Sequence, residues 1–331
     1  MTDDRSVLER RYRALLRCYP AHYQAHRSDE MLDTYLAMVD GGRRRPSAAD
    51  VRDVLAGATR AHLRSSGMAA ALPIAATVAI GTVTMLATFW LISAEVIGGA
   101  LAGPVPMFGP FQTIGVVAWV AWLAVGLTAL VSPGRVVRVG VLAALAVTVA
   151  LLPAAALLPY DRPPLTVLVP QLALGLVALG LPDSPGSRAG LRLRVVVALV
   201  TVTAAGVATI TMPGSPYRWF DGDLLAAIAA ILLIGLLGAS ALLAVRGDDR
   251  GWLATVIMLP AFATLLVEPL TGLVASYAGT AADSWASTAW VAVVSVLAAG
   301  AALPLTVAIR GRRPKQPPTV CPTCGNRAAS G

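Results

Sequence analysis

The chain has 331 residues, of which 56% are apolar and only 13% are charged, with a formal net charge of +8. Soluble domains carry about 25% charged residues, so the composition argues against an ordinary soluble enzyme or binding domain. The basic residues lie near the chain ends and in alternate short linkers, a pattern typical of membrane orientation rather than of nucleic-acid binding.

Residues 1–67 are the charged part of the chain and predict a small helical segment. Twelve of the 26 basic residues and nine of the 18 acidic residues fall here. Apolar residues recur at helical spacing in three stretches. We therefore predict three short amphipathic helices, with apolar stripes within 8–19, 31–39 and 51–58.

Local signals separate these three helices. Pro20 fits the first turn of a helix but not its interior, so it divides the first helix from the second. Ser47 is a predicted N-cap of the third helix, with Asp50 three residues later completing an imperfect capping box. About 67 residues bury little core. We expect the segment to be cytoplasmic and to be supported by itself, by the membrane surface or by a partner protein.

From Met68 onward the chain consists mainly of apolar runs. Each has about the length that crosses a bilayer, roughly 17–25 residues. We predict an all-α, polytopic membrane helix bundle over 68–310, in which the fourth span is the shortest. The eight spans are placed at 68–92, 112–132, 136–158, 165–181, 193–212, 223–245, 252–276 and 285–309.

The distribution of basic residues between the linkers predicts how this bundle is oriented in the membrane. If residues 1–67 are cytoplasmic, the linkers after spans two, four and six, with the adjoining helix starts, contain seven basic residues. The linkers on the opposite side contain only Arg162 and Arg218. Because Lys and Arg accumulate on the cytoplasmic side, both chain ends are predicted in the cytoplasm. The seven are Arg135, Arg138, Arg188, Arg192, Arg194, Arg246 and Arg250.

Aromatic residues support the same direction. Tyr and Trp concentrate at the two membrane–water interfaces. Six of them fall at predicted outer helix ends, where we expect an interfacial belt. They are Trp90, Tyr160, Tyr217, Trp219, Tyr277 and Trp285.

Glu268 is the acidic residue that falls well inside a predicted span, next to Pro269. A charged side chain at the bilayer centre costs about 2.5–3.5 kcal/mol on insertion scales. It should therefore face the bundle interior, be protonated or have a partner, and Gln171 in the fourth span is the obvious companion. Two alternatives stay open: a proton- or ion-coupling carboxyl of a transporter, or a structural carboxylic acid bonded to a neighbouring helix.

The C-terminal tail, 311–331, is predicted to be disordered and contains one CxxC pair, Cys321 and Cys324. Two thiolates at this spacing can hold one side of a tetrahedral Zn²⁺, but a structural site needs four ligands. The other two would come from a second copy of the protein or from Cys18, His22 and His26. The alternative is a flexible, reduced tail that binds no metal.

Sequence motifs for catalysis are missing. The chain contains no P-loop, HExxH or GxSxG motif and no pair of intramembrane aspartates. This lowers the expectation of an enzyme, for which the only support is a small charged cluster, Arg218, Asp221 and Asp223, in a predicted outer linker. A solvated hairpin explains that cluster equally well.

The stretch from Leu8 to Leu63, with Arg64 after it, contains several recognisable runs: 8–20 (Leu-Glu-Arg-Arg-Tyr-Arg-Ala-Leu-Leu-Arg-Cys-Tyr-Pro), Tyr23, 30–32 (Glu-Met-Leu), 43–47 (Arg-Arg-Arg-Pro-Ser), 53–55 (Asp-Val-Leu) and 63–64 (Leu-Arg). In these runs it resembles a cytoplasmic prefix found in uncharacterised actinobacterial multi-pass membrane proteins. The resemblance implies a helical module placed ahead of a permease-like membrane region, or encoded near PadR-type regulators, in a bacterial plasma membrane. It carries no functional residues over to this chain.

Two functions follow as expectations. The first is a non-enzymatic signalling or scaffold protein of the membrane that recruits a cytoplasmic protein through residues 1–67. The second is a transporter or permease subunit that uses the intramembrane carboxyl of Glu268. The first is favoured because an amphipathic module precedes a bundle with few buried polar groups.

Overall fold

All regular elements in the described part of the chain are helices, and a single isolated bridge joins Phe108 and Phe111. The chain divides into two compact units, one of Met1–Ala69 with Leu303–Gly331 and one of Ala70–Ala302. The structure is a computed structural model. It describes residues 2–38, 45–65, 67–97, 107–132, 134–182, 195, 198–199, 202–203, 205–207, 222–245, 248–267, 270–271, 285–303 and 305–306.

Three helices form the N-terminal module, which we define as residues 2–65: α1 (Thr2–Leu16), α2 (Ala21–Ala37) and α3 (Ala48–Ser65). Helix α1 packs against both α2 and α3. Residues from all three predicted apolar stripes meet in one core, but Leu55 of the third stripe is exposed, so that stripe is narrower than predicted. The buried core residues are Leu8, Tyr12, Leu16, Tyr19, Leu32, Tyr35, Val54 and Ala58.

Helix starts in the module follow the predicted local signals. Pro20 precedes α2 as its N-cap. The capping box of α3 is confirmed, because the Asp50 backbone N–H donates to Ser47 Oγ at 3.1 Å and the Ser47 N–H donates to Asp50 Oδ2 at 2.9 Å. Inside the core the rings of Tyr12 and Tyr35 stack, with centroids 5.3 Å apart and planes inclined by 14°.

Helix α4 (Met68–Trp90) continues as a π-helical segment, Leu91–Ile97. The predicted end of the first span at residue 92 is therefore wrong by several residues. Ser93 and Glu95 have polar side chains, but both side chains are buried and hydrogen-bonded within the protein. The helix can therefore extend beyond its purely apolar stretch.

The extension changes the position of Trp90. Its side chain is 1% exposed and packs edge-on against Phe89, with ring centroids 5.2 Å apart. A lipid-facing anchor would be exposed, so the interfacial role predicted for Trp90 is wrong. Tyr160 is half-buried and contacts Phe108 edge-on. The side chains of the other four predicted belt residues (Tyr217, Trp219, Tyr277 and Trp285) lie outside the described residues.

Six further helices follow at positions close to predicted spans. Predicted span five, 193–212, lies mostly outside the described residues. The helix at the fourth predicted span, 165–181, begins at Leu165 as predicted but ends at Ala178, so its 14 residues are fewer than predicted. These helices are α5 (Val116–Val131), α6 (Gly134–Leu157), α7 (Leu165–Ala178), α8 (Gly222–Val245), α9 (Arg250–Leu265) and α10 (Trp285–Gly300).

Among the described residues, three helices are long and apolar enough to cross a membrane: Met68–Val96, Gly134–Leu157 and Ala227–Val245. Four other apolar helices, at the positions of α5, α7, α9 and α10, are shorter. In the Ala227–Val245 helix only 17% of the apolar window is buried inside the protein. Apolar surface of this extent is characteristic of contact with lipid, and the structure is thus compatible with a membrane location.

The second unit is built from helices packed in sequence. Helix α5 packs against α6, α6 against α7, and α9 against α7, α8 and α10. Small residues allow close approach, as is typical of membrane helix pairs. A Cβ added at Gly126 of α5 would lie 2.5 Å from Thr84 Cγ2 of α4, so only glycine fits at this crossing.

Candidate functional site

Glu95 is a fully buried carboxyl in the π-helical segment at the end of the first candidate span. Thr113, just before α5, donates to it twice: the backbone N–H to Oε2 at 2.8 Å and the hydroxyl to Oε1 at 2.6 Å. The indole N–H of Trp119 donates to Oε1 at 3.3 Å. All three bonds are donated to Glu95, which suits the acceptor chemistry of a carboxylate.

The Glu95 carboxyl ties the end of α4 to the start of α5. The Thr113 hydroxyl that donates to Glu95 also accepts the backbone N–H of Gly115 at 2.9 Å. A Cβ at Gly115 would collide with the ring of Pro163, so the segment before α7 lies directly against this turn. The Ile114 N–H also donates to the Asp161 carbonyl at 3.1 Å. We call Glu95, Thr113 and Trp119 the Glu95 cluster.

Sequence reasoning missed Glu95 because the first span was ended three residues before it. Leu91–Ile97 contains neither glycine nor proline, and the first helix-breaking signal is the pair Gly98 and Gly99. Extending the predicted helix to that pair would have placed Glu95 within it. The sequence therefore contained the signal, but the apolar run that predicts the span ends before Ser93 and Glu95.

Gln171, predicted as an intramembrane polar residue, is completely buried on α7. Neither its Oε1 nor its Nε2 has a hydrogen-bond partner in the described part of the chain. A buried polar group left without a partner costs about 1–3 kcal/mol. Glu268, its predicted companion, lies outside the described residues.

One helical turn after Gln171, α7 packs closely against α5 and α6. Gly175 lies against the Trp122 ring and Leu145, with no space for a Cβ. The Trp122 indole N–H donates to Thr148 Oγ1 on α6 at 3.0 Å. Helices α5, α6 and α7 therefore meet around Trp122 of α5. The contact on α7 is at Gly175, four residues after Gln171.

The predicted zinc ligands are only partly described. Cys321 and Cys324 lie outside the described residues, and so does the side chain of His22. Cys18 is a free, exposed cysteine. Its carbonyl lies 2.9 Å from Nε2 of His62 on α3, a contact that the sequence did not predict. Where the chain is described, no three His, Cys, Asp or Glu side chains form a group that would hold a metal ion.

Two tyrosine–carboxylate bonds connect the helices of the N-terminal module. The Tyr12 hydroxyl donates to Asp50 Oδ2 at 2.8 Å, and the Tyr35 hydroxyl donates to Asp53 Oδ2 at 2.7 Å. Burial raises the pKa of Tyr35 above its ordinary value, and the hydrogen bond to Asp53 adds to the effect. Burial also raises the pKa of Tyr19, and the nearby Tyr23 raises it further.

An open cleft of about 350 Å³ lies on the surface between α2 and α3. Tyr35 and Tyr19 contribute to its wall, and Gly57 on α3 leaves room for the Tyr19 hydroxyl, which a Cβ there would displace. Pockets that bind ligands have volumes of about 300–1,000 Å³. The N-terminal module thus has a core whose helices are joined by hydrogen bonds, and a surface cleft large enough for a side chain or small group.

Comparison with known proteins gives no relative: no family model matches the chain, and no curated protein or solved structure matches it either.

Proposed function

We propose that this protein is a non-enzymatic adaptor of the bacterial plasma membrane that recruits a cytoplasmic protein through its N-terminal module. The observation that carries the proposal is the construction of that module. Its helices enclose their own core, two tyrosine–carboxylate bonds hold them together, and a cleft remains open between α2 and α3. A segment that served only as a leader into the membrane would need neither the specific bonds nor the cleft.

The proposal includes the eight-span topology with both chain ends in the cytoplasm. It is supported by three helices of spanning length, by four shorter apolar helices and by the seven-to-two distribution of basic residues between alternate linkers. The resemblance of the stretch from Leu8 to Leu63 to the prefix of actinobacterial membrane proteins supports the same cellular location.

Deletion tests the recruiting role. Full-length protein and a form lacking residues 1–67 would be crosslinked in native membranes and purified through the same tag. We expect partner proteins that copurify with the full chain to be lost from the deleted form and retained when residues 311–331 are deleted instead. Unchanged partners after removal of 1–67 would contradict the adaptor function.

A second function, transport, is favoured by one observation: Gln171 is buried, and neither of its amide atoms has a partner among the described residues. An amide needs a donor and an acceptor side by side, and a protonated carboxyl such as that of Glu268 supplies both. Proton flux into proteoliposomes would be measured for the unmodified chain, Glu268→Gln and Gln171→Leu. Transport by this route predicts that both variants lose coupled flux, whereas equal flux in all three would exclude it.

A further inference from the structure

Arginine is concentrated in two stretches of the N-terminal module that contain no acidic residue. Residues 10–28 and 54–67 together hold seven arginines, whereas all nine acidic residues of 1–67 lie outside these stretches. The first stretch covers the second half of α1 and the start of α2, and the second covers the C-terminal two thirds of α3. Positive and negative charges are therefore separated along the chain.

Hydrogen bonds bring the two stretches together at one end of the module. Nε2 of His62, in the last turn of α3, lies 2.9 Å from the carbonyl of Cys18, which follows α1. Gln24 of α2 donates through Nε2 to the Tyr19 carbonyl at 2.6 Å and to the Arg17 carbonyl at 3.1 Å. The C-terminal ends of α1 and α3 therefore meet beside the start of α2. We define the basic end by four residues of these two helix ends: Arg17, Cys18, His62 and Arg64.

The arginines of the basic end are exposed, and their charge is available to a ligand. Neither Arg17 nor Arg64 forms an ion pair within the described part of the chain. Arg10 lies two helical turns before Arg17 on the same face of α1 and is exposed as well. Glu9, the nearest acidic residue along α1, pairs with Arg13 at 2.9 Å. The surface formed by Arg10, Arg17 and Arg64 is therefore positive.

Two arginines of the same stretches do not belong to this surface. Arg27 and Arg60 line the cleft between α2 and α3 together with Glu30 and Asp53. Carboxylates thus balance the guanidinium groups there. The excess of positive charge lies on α1 and on the last turn of α3.

The basic end lies close in the chain to the first candidate span. Arg64 precedes Met68, the first residue of α4, by four residues, and Met68 belongs to the same compact unit as the N-terminal module. Four residues of chain reach at most about 14 Å. A span that starts at Met68 therefore keeps the Cα of Arg64 within about 14 Å of the membrane–water interface. Attraction to charged headgroups extends a further Debye length, about 8 Å, beyond the guanidinium group.

We propose that the basic end docks on anionic lipid headgroups of the membrane that α4 enters. Arg17 and Arg64 contact headgroup phosphates, and Arg10 extends the contact along α1. Basic segments beside a span are attracted to anionic lipids, and the guanidinium group matches the geometry of phosphate. The short connection to α4 favours lipid over an acidic protein, because it keeps headgroups within reach at all times. The inference rests on the proposed membrane location and not on the recruiting role.

Cys18 provides a reporter inside the basic end. It is exposed, and it is the only cysteine of the chain once Cys321 and Cys324 are replaced by Ser. The full chain would be labelled there with bimane and placed in nanodiscs of phosphatidylcholine, with or without a third of phosphatidylglycerol. Both discs contain the same amount of a lipid with a nitroxide on its headgroup, which quenches the label on contact. We expect stronger quenching in the anionic discs at about 0.1 M salt, and no difference at about 1 M salt, where the Debye length is about 3 Å.

Charge-neutral variants locate the contact. We expect Arg17→Gln and Arg64→Gln each to lower the ratio of docked to free module in anionic discs about fivefold, the effect of one arginine near an anionic surface. Arg52→Gln is the control, because it makes the same charge change at an exposed position of α3 about 18 Å along the helix from Arg64. Its quenching should match that of the unmodified chain. Equal loss in Arg52→Gln would mean that net charge alone attracts the module and would overturn the basic end as the docking surface.

The remaining outcomes separate lipid docking from the adaptor function. Equal quenching in both kinds of disc overturns lipid docking. If Arg17→Gln and Arg64→Gln then remove the crosslinked partner from native membranes, the basic end is a protein-binding surface instead. If deletion of residues 1–67 leaves the partners unchanged, the adaptor function fails even where quenching follows the anionic lipid.

Discussion

Three buried polar side chains of the second unit satisfy their hydrogen bonds to different degrees. Glu95 receives three donated bonds, and Thr148 accepts the indole N–H of Trp122 while donating to the Ala144 carbonyl. Gln171 has none in the described residues. Because an apolar surrounding makes unmet hydrogen bonds expensive, Glu95 and Thr148 are stabilising connections. Gln171 is the residue whose burial requires another explanation.

The first prediction concerns Glu95. In Glu95→Gln one carboxylate oxygen becomes an amide N–H₂, which faces either the Thr113 N–H or the Trp119 indole N–H as donor against donor. We expect a loss of about 1–3 kcal/mol in the free energy of unfolding, measured by tryptophan fluorescence of the detergent-solubilised chain. Asp161→Asn is the control, since Asp161 is an exposed carboxylate of the same unit. Equal stability of both variants would show that the Glu95 cluster contributes nothing.

The second prediction concerns pH and Tyr35. Its pKa is raised in the folded state from the ordinary value of 10.0, chiefly by burial. The unfolded chain therefore loses this proton first as pH rises. The stabilisation from the neutral hydroxyl is complete below pH 10 and is lost as pH rises from there through the higher folded pKa.

Urea unfolding of the full chain, followed by the near-ultraviolet circular dichroism of tyrosine, would measure this effect. We expect the midpoint for the N-terminal module to fall above about pH 10, and to fall less steeply in Tyr35→Phe. At neutral pH the variant should lose about 1 kcal/mol, the typical contribution of one hydrogen bond. An identical pH dependence in both proteins would contradict the assignment to Tyr35.

At the scale of elements, the crossing of α4 and α5 depends on one glycine. Gly126 leaves no space for a Cβ beside Thr84, whereas a Cβ at Gly238 of α8 would meet nothing within 4 Å. The same substitution should therefore have opposite effects at the two positions. We expect Gly126→Ala to destabilise the protein by about 1–3 kcal/mol through overpacking.

Gly238→Ala supplies the matched control. Since alanine is favoured over glycine in helices by roughly 0.5–1 kcal/mol, this variant should be neutral or slightly more stable. Thermal unfolding of both variants in the same detergent would compare them. Equal destabilisation would mean that helix crossing does not depend on the fit at Gly126.

Element positions were predictable from sequence to a large extent. Periodicity identified the apolar stripes of the N-terminal module, and the Ser47–Asp50 box identified the start of α3. These signals depend only on residues close together in the sequence, so they can be recognised without knowledge of the fold. The Glu95 cluster was not predicted, because the hydrogen bonds to Glu95 come from donors 18 and 24 residues away in the sequence. The bond between Tyr35 and Asp53 likewise depends on the packing of α2 on α3.

For the molecule as a whole, the proposed orientation in the membrane predicts which residues are accessible from outside the cell. Cys18 is exposed in the N-terminal module, and Asp161 is an exposed residue in the linker between α6 and α7. The proposed topology places Cys18 in the cytoplasm and Asp161 outside. A membrane-impermeant maleimide should then distinguish them in intact cells.

The experiment uses a background in which Cys321 and Cys324 are replaced by Ser. We expect Cys18 to react only after the membrane is permeabilised. Asp161→Cys, introduced with Cys18→Ser, should react in intact cells. Reaction of Cys18 in intact cells would reverse the direction, and equal protection of both would place the 158–164 linker on the same side as the N-terminal module.

The stacked rings of Tyr12 and Tyr35 have a practical consequence for such measurements. Four of the seven tyrosines but none of the seven tryptophans precede residue 69. An asymmetric tyrosine pair gives its own near-ultraviolet dichroism, while every indole signal comes from beyond that residue. Tryptophan fluorescence therefore reports on the second unit without a contribution from residues 1–68. Unfolding of the helical bundle can be followed apart from the N-terminal module, in one sample and without any attached dye.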